Sequence, residues 1–138
     1  MIVYLDSSVL LRLVLGQRDA LNEWNRVTHG VASALVEVEC LRTLDRLRLV
    51  EHLADAVIAE RRAAVYRLVE AMEIVELTPA VLARAAQPPP TLLGTLDALH
   101  LATALMWKEQ TGRAIAMATH DAALAMAARA SGLQVLGI

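Results

Sequence analysis

The stretch MIVYLDSS at residues 1–8 decides the fold, because it places a carboxylate directly after a short apolar run. Residues 2–5 are apolar without alternation, which is typical of a strand covered on both faces in a parallel sheet. Asp6 would then lie at the carboxyl end of this strand, where open α/β sheets bind their ligands. Asp6 is therefore a candidate site residue. The alternative is that Asp6, Ser7 or Ser8 caps the helix that follows.

Apolar segments recur along the chain in a pattern that alternates strands with one or two helices. This alternation predicts an α/β fold in three layers, with a short parallel sheet of about five strands and helices on both faces. The predicted strands are 2–5, 31–33, 74–77, 114–118 and 134–136. The predicted helices are 9–14, 19–27, 34–49, 54–72, 79–87, 95–110 and 122–130, with Thr78 as an N-cap and with Leu35, Val38, Leu41 and Leu44 on one shared face.

The composition favours a single domain, 1–138, with its own core. Hydrophobic residues make up 57% of the chain, and this excess predicts a surface kept for a second copy or another partner. The net charge of -2 excludes binding of nucleic acid through the overall field, so RNA would need a local basic patch. Cys40 is the single cysteine and no apolar run is long enough to cross a bilayer, which favours a reducing, cytoplasmic setting.

Acidic side chains follow two of the predicted strands and lie near the start of two predicted helices. Asp6 and Asp121 follow the first and fourth strands, and they meet at one edge if these strands are adjacent. Asp97 is either a charge that favours its helix start or a group that faces a polar cleft, because its neighbours are apolar. Glu37 and Glu39 are about 200° apart around their helix, so only one of them can face the site, and the spacing leaves the choice open.

Several carboxylates at one edge repel one another and hold protons unless a cation intervenes. Oxygen ligands suit Mg²⁺ or Mn²⁺ better than zinc, which favours His and Cys. The pattern therefore predicts a site for a divalent cation of the magnesium type.

Four short motifs resemble those of PIN-domain ribonucleases, and more narrowly those of the VapC-type toxins of toxin–antitoxin pairs. They are YLDSS at 4–8, SALVEVECLR at 33–42, LDALHLATA at 96–104 and ATHD at 118–121. The resemblance implies a PIN-like fold over the whole chain, and it selects Glu39 over Glu37. It assigns the catalytic and metal-ligating roles to Asp6, Glu39, Asp97 and Asp121, and it gives Ser8 and Thr119 supporting roles.

The resemblance also implies a metal-dependent endoribonuclease that hydrolyses RNA with Mg²⁺ or Mn²⁺, is neutralised by a cognate antitoxin and forms a homodimer. The alternative is a non-catalytic PIN-like or receiver-like module that binds proteins. Arg42 and Arg46 are candidate RNA contacts near Glu39, unless they form a solvated face with i,i+4 ion pairs. His100 lies among leucines one turn after Asp97, and we expect a structural role for it rather than that of a catalytic base.

Overall fold

The predicted central strand is present in a computed structural model of the protein, which describes residues 1–138 and places β1 at Ile2–Leu5. The other strands are β2 His29–Ser33, β3 Glu73–Val75, β4 Ala116–Ala118 and β5 Gln134–Leu136. The helices are α1 Ser7–Val14, α2 Leu35–Glu51, α3 Asp55–Glu70, α4 Pro79–Ala85, α5 Thr95–Thr111 and α6 Ala122–Ala130. None of these helices combines the length and the apolar character that spanning a bilayer requires.

The five strands form one parallel sheet in the order β3-β2-β1-β4-β5. The chain winds outward from β1 through β2 to β3 and then returns to the other side of β1 as β4. The winding direction therefore reverses between β1 and β4, which is where parallel sheets form a crevice beyond their carboxyl ends. Leu5 pairs with Ala118, so Asp6 and Thr119 leave the sheet side by side. The α/β prediction is confirmed.

Apolar side chains pack in two clusters, one on each face of the sheet. Along β1, Val3 and Leu5 belong to the cluster beneath α1, α2 and α3, whereas Tyr4 belongs to the cluster beneath α5 and α6. All three side chains are fully buried. This explains why β1 is apolar without alternation, since helices cover both of its faces.

The predicted helix at 19–27 is wrong, because only a short 3₁₀ turn forms there, at Trp24–Arg26. Leu21 is buried in the first cluster, and Trp24 and Val27 pack against it. These three apolar residues recur at intervals of three, which successive tight turns satisfy as well as an α-helix does. Asn22 and Asn25 lie between them and favour turns through their short polar side chains.

The predicted buried face of α2 is wrong in part, because of the four residues assigned to it only Leu44 is fully buried. The buried residues of this helix are Val36, Cys40 and Leu44, which are spaced four apart, whereas the side chain of Val38 is 59% exposed. Leucines lie on both sides of these buried residues, so apolar residues cover a wide part of the helix surface. The sequence therefore did not show which of them point inward. The N-cap prediction for α4 is confirmed, since the Val81 N–H donates to Thr78 Oγ1 at 3.2 Å.

Two valines in the same helix test this orientation of α2. Val36→Ala should lower the free energy of unfolding by about 2 kcal/mol, because its side chain is fully buried. Val38→Ala should change the free energy of unfolding by less than about 0.5 kcal/mol, because its side chain is exposed. Urea unfolding of the two variants gives the comparison, and equal losses would contradict the described face.

Candidate active site

The four acidic residues singled out by the sequence lie at the carboxyl edge of the sheet, around the ends of β1 and β4. Asp6 follows β1 and Asp121 precedes α6 as its N-cap. Glu39 lies in the second turn of α2, and Asp97 lies in the first turn of α5. Because these elements all begin or end at one edge, residues more than 100 positions apart share one crevice.

Asp6 is the buried member of this group, with 4% of the residue exposed. Its Oδ2 accepts a hydrogen bond from Ser8 Oγ at 2.7 Å and another from Thr119 Oγ1 at 2.9 Å. Asp6 occupies the N-cap position of α1 but makes no capping bond with its side chain. The capping alternative for Asp6 is therefore wrong, because its carboxylate is engaged by the two hydroxyls instead.

The two hydroxyls that hold Asp6 also fix the loop that carries Asp121. Ser8 Oγ accepts from the His120 N–H at 3.0 Å, and Thr119 Oγ1 accepts from the Asp121 N–H at 3.0 Å. Asp121 caps α6, because its Oδ1 accepts from the Leu124 N–H at 2.8 Å. One relay of hydrogen bonds therefore sets the positions of two of the four carboxylates.

Glu39 is held by a side chain for which the sequence predicted only a structural role. His100 is fully buried, and its Nε2 lies 2.6 Å from Glu39 Oε1 and 3.7 Å from Asp6 Oδ1. The other ring nitrogen, Nδ1, lies 2.7 Å from the hydroxyl of Tyr4. The sequence did contain a signal that His100 lies near Asp97, because it is three positions further along α5 and so shares its face, but it contained none for the contact with Glu39.

Electrostatics connect these groups. Burial raises the pKa of Asp97 to about 6, and the negative charges of Asp121 and Asp6 add to this effect. Burial alone would lower the pKa of His100, but the hydrogen bond to Glu39 and the surrounding negative charges outweigh it and raise that pKa. The side chains are therefore close enough to influence one another strongly, as crowded carboxylates do.

Cys40 adjoins Glu39 but does not take part in this polar cluster. Burial raises the pKa of its thiol to about 12, with the negative charges of Glu39 and Asp6 acting in the same direction. The thiol is protonated at neutral pH and faces the first apolar cluster. It is a core residue rather than a nucleophile.

The donor set at this edge fits a hard divalent cation, because four carboxylates converge there and neutral hydroxyls already hold one of them. Zinc is less suited, since His100 uses both of its ring nitrogens for protein contacts. No three His, Cys, Asp or Glu side chains are grouped closely enough in this structure to hold a metal ion. Glu39 instead directs one oxygen at His100.

The two candidate RNA contacts are placed on the outer surface of α2. Arg42 and Arg46 are both exposed, and they lie one and two turns after Glu39. Neither forms an ion pair, and Arg46 donates only a long hydrogen bond of 3.4 Å to Thr43. Both side chains therefore lie on a solvated face, as the alternative predicted, but they lack its i,i+4 ion pairs, and their contact with RNA stays a prediction.

The chain is similar to known proteins over nearly its whole length. The sequence model described as PIN domain matches residues 3–133. Ribonuclease VapC46 of Mycobacterium tuberculosis is 33% identical over 137 residues, which cover 97% of this chain and 95% of that protein. Ribonuclease VapC35 of Mycobacterium tuberculosis is 32% identical over 143 residues, with the same two coverages.

A solved structure shares the fold. It is the crystal structure of VapBC2 from Rickettsia felis bound to a DNA fragment from their promoter, and the likeness has a TM-score of 0.65. The match covers 98% of this chain and 97% of the other, at 12% sequence identity. At that identity the likeness supports the arrangement of helices and strands alone.

The raised pKa of Asp97 predicts how stability depends on pH in metal-free protein. Its folded pKa of about 6 lies above the ordinary 3.8, so this stabilisation is present below about pH 4 and is lost as the pH rises through 6. In EDTA, Asp97→Asn should therefore be more stable than wild type at pH 7.5, by about 1–2 kcal/mol after allowance for solvent screening, and should show no such gain at pH 4. Urea unfolding across this range measures the difference.

Asp55→Asn is the matched control, because Asp55 occupies the first turn of α3 just as Asp97 occupies the first turn of α5. The control should show no gain at pH 7.5. A less stable Asp97→Asn protein at that pH would contradict the crowding of charge described here.

Proposed function

The chain belongs to the PIN-domain family as a ribonuclease of the VapC type, and we propose that a divalent cation, Mg²⁺ or Mn²⁺, held by Asp6, Glu39, Asp97 and Asp121 enables it to hydrolyse RNA. The observation that carries the proposal is the convergence of these carboxylates at the reversal of the sheet, where burial and neighbouring charges raise the pKa of Asp97. A cation would relieve that repulsion. When bound, it supplies Lewis-acid stabilisation of the charge that develops on the phosphate.

The protein's own groups set up this chemistry. Ser8 and Thr119 orient the carboxylate of Asp6 before any ligand arrives, so little rearrangement of that residue is needed. The helix cap keeps one oxygen of Asp121 engaged and leaves its second oxygen for the crevice. The exposed guanidinium groups of Arg42 and Arg46 supply the local positive charge that an RNA backbone requires from an acidic protein.

Removal of single carboxylates tests the proposed centre. Asp6→Asn and Asp97→Asn should each lower RNA cleavage by at least about 100-fold, because each removes a charge that binds and orients the cation. Wild-type cleavage should require Mg²⁺ or Mn²⁺ and stop in EDTA. Gel analysis of a defined RNA with purified protein provides the measurement.

Asp55→Asn again serves as the control and should cleave like wild type. Full cleavage by Asp6→Asn or Asp97→Asn, or undiminished wild-type cleavage in EDTA, would exclude the centre proposed here.

We further propose an antitoxin as the protein partner, bound along α2 next to the carboxylates. Val38 is exposed immediately before Glu39, and Leu49 and Val50 are exposed at the far end of the same helix. An exposed apolar side chain next to a cluster of negative charge suits a segment that carries an apolar side chain beside an Arg or Lys. A guanidinium group would pair with the carboxylates much as a cation does.

A second copy of the chain is proposed to bind at a different face, between α4 and α5. Leu92, in the segment that joins these two helices, is 96% exposed, and Leu82 of α4 and Leu96 of α5 are exposed as well. A hollow of about 450 Å³ lies between the two helices and is lined by Leu82, Leu93 and Leu99. A projecting leucine beside an apolar hollow is the self-complementary arrangement that a two-fold dimer needs.

Light scattering tests the dimer. The wild-type protein should elute as a dimer, and Leu92→Ser should be monomeric at the same concentration, because it replaces an apolar contact by a hydroxyl. Met126→Ser is the control, since Met126 is also exposed but lies on α6. A monomeric wild type, or a dimeric Leu92→Ser, would contradict this surface.

A further inference from the structure

Two fully buried side chains, Tyr4 and His100, link the partly buried carboxylate of Glu39 to the central strand. The link runs from Tyr4 of β1 through His100 of α5 to Glu39 of α2, with distances of 2.7 Å and 2.6 Å. We propose that His100 is a positioning residue for Glu39, fixing the direction of its carboxylate in the nuclease centre, and that Tyr4 in turn fixes the imidazole ring. This inference rests on the function proposed above.

Each nitrogen of the His100 ring has one hydrogen-bond partner. The Nε2–H can donate to Glu39 Oε1 in either protonation state of the ring, whereas Nδ1 accepts from the Tyr4 hydroxyl when the imidazole is neutral and donates to it when the imidazole is protonated. Both ring nitrogens then have a partner, as a fully buried histidine requires. The carboxylate of Glu39 keeps Oε2 for the crevice.

Glu39 needs such an anchor more than the aspartates do. Its side chain has one more methylene than that of Asp, and ordering a glutamate costs up to about 2 kcal/mol of side-chain entropy. Two hydroxyls hold Asp6, and a helix cap holds Asp121. The hydrogen bond from His100 is the one side-chain contact that orients Glu39.

The place of His100 in the fold supports positioning over direct participation. α5 covers one face of the sheet and α2 covers the other, so His100 and Glu39 meet around the carboxyl end of β1. The ring has no exposed surface and lies 3.7 Å from Asp6 Oδ1, between two of the carboxylates. A group so enclosed does not contact RNA, but it determines the separation between Asp6 and Glu39.

Two substitutions that differ in reach test the proposal. In His100→Gln the amide can take the place of Nε2 and donate to Glu39, whereas in His100→Asn the shorter side chain reaches Tyr4 but not Glu39. His100→Asn should lower kcat and weaken Mn²⁺ binding by about 10–100-fold, the usual effect of losing a residue that orients a metal ligand. KM for RNA should not change, and His100→Gln should recover most of the loss.

The measurements are kcat and KM on a defined RNA at saturating Mn²⁺, together with calorimetric titration of Mn²⁺ into the protein without RNA. Tyr4→Phe, which hardly changes the side-chain volume, should reduce kcat and Mn²⁺ affinity in the same sense. His29→Asn is the matched control, because His29 contacts Glu73 at the same distance of 2.6 Å at the opposite end of the strands. It should leave kcat and Mn²⁺ affinity unchanged.

The outcomes separate this inference from the function on which it rests. A wild type that neither binds Mn²⁺ nor cleaves RNA would overturn the proposed function. A wild type that does both, with unchanged kcat and Mn²⁺ affinity in His100→Asn and Tyr4→Phe, would overturn the role of His100 alone. If His100→Asn does not fold, Tyr4→Phe decides, since it retains the imidazole and removes only its second partner.

Discussion

Burial of a negative charge at the end of the central strand is the constraint on which the rest of the structure depends. Without polar partners, a carboxylate as buried as that of Asp6 would cost on the order of several kcal/mol. Ser8 supplies one partner from α1 and Thr119 supplies the other from the end of β4. The same hydroxyls accept backbone hydrogen bonds from the loop before α6. Stabilising one charge therefore fixes three segments of chain against one another.

Much of this arrangement could be predicted from local sequence, because the responsible signals are local. The unalternated run at 2–5 predicts a strand covered on both faces, and Thr78-Pro79 predicts a helix start. Asp6 and Asp121 were predicted to meet if the first and fourth strands were adjacent. β1 and β4 are neighbours in the sheet, so this condition holds. The residue types indicated oxygen ligands, whereas the choice of Glu39 over Glu37 came from the resemblance to PIN-domain ribonucleases.

The rest depended on packing that no local pattern determines. The wide apolar arc of α2 left its buried row undefined, and the segment at 19–27 has apolar residues at a spacing that tight turns satisfy as well as a helix does. The contact between His100 and Glu39 joins residues 61 positions apart on opposite faces of the sheet. Only the three-dimensional arrangement makes a histidine among leucines the neighbour of two carboxylates.

The bond between Thr119 and Asp6 spans 113 residues, which has a consequence for the order in which the chain folds. Synthesis at roughly 5–20 residues per second releases the first strand on the order of ten seconds before its partner β4. Such distant pairings are also slow to form, because a long loop must close before they stabilise anything. A nascent chain thus carries Asp6, Glu39 and Asp97 without the strand that assembles them. The four carboxylates can therefore come together only after residue 121 has left the ribosome.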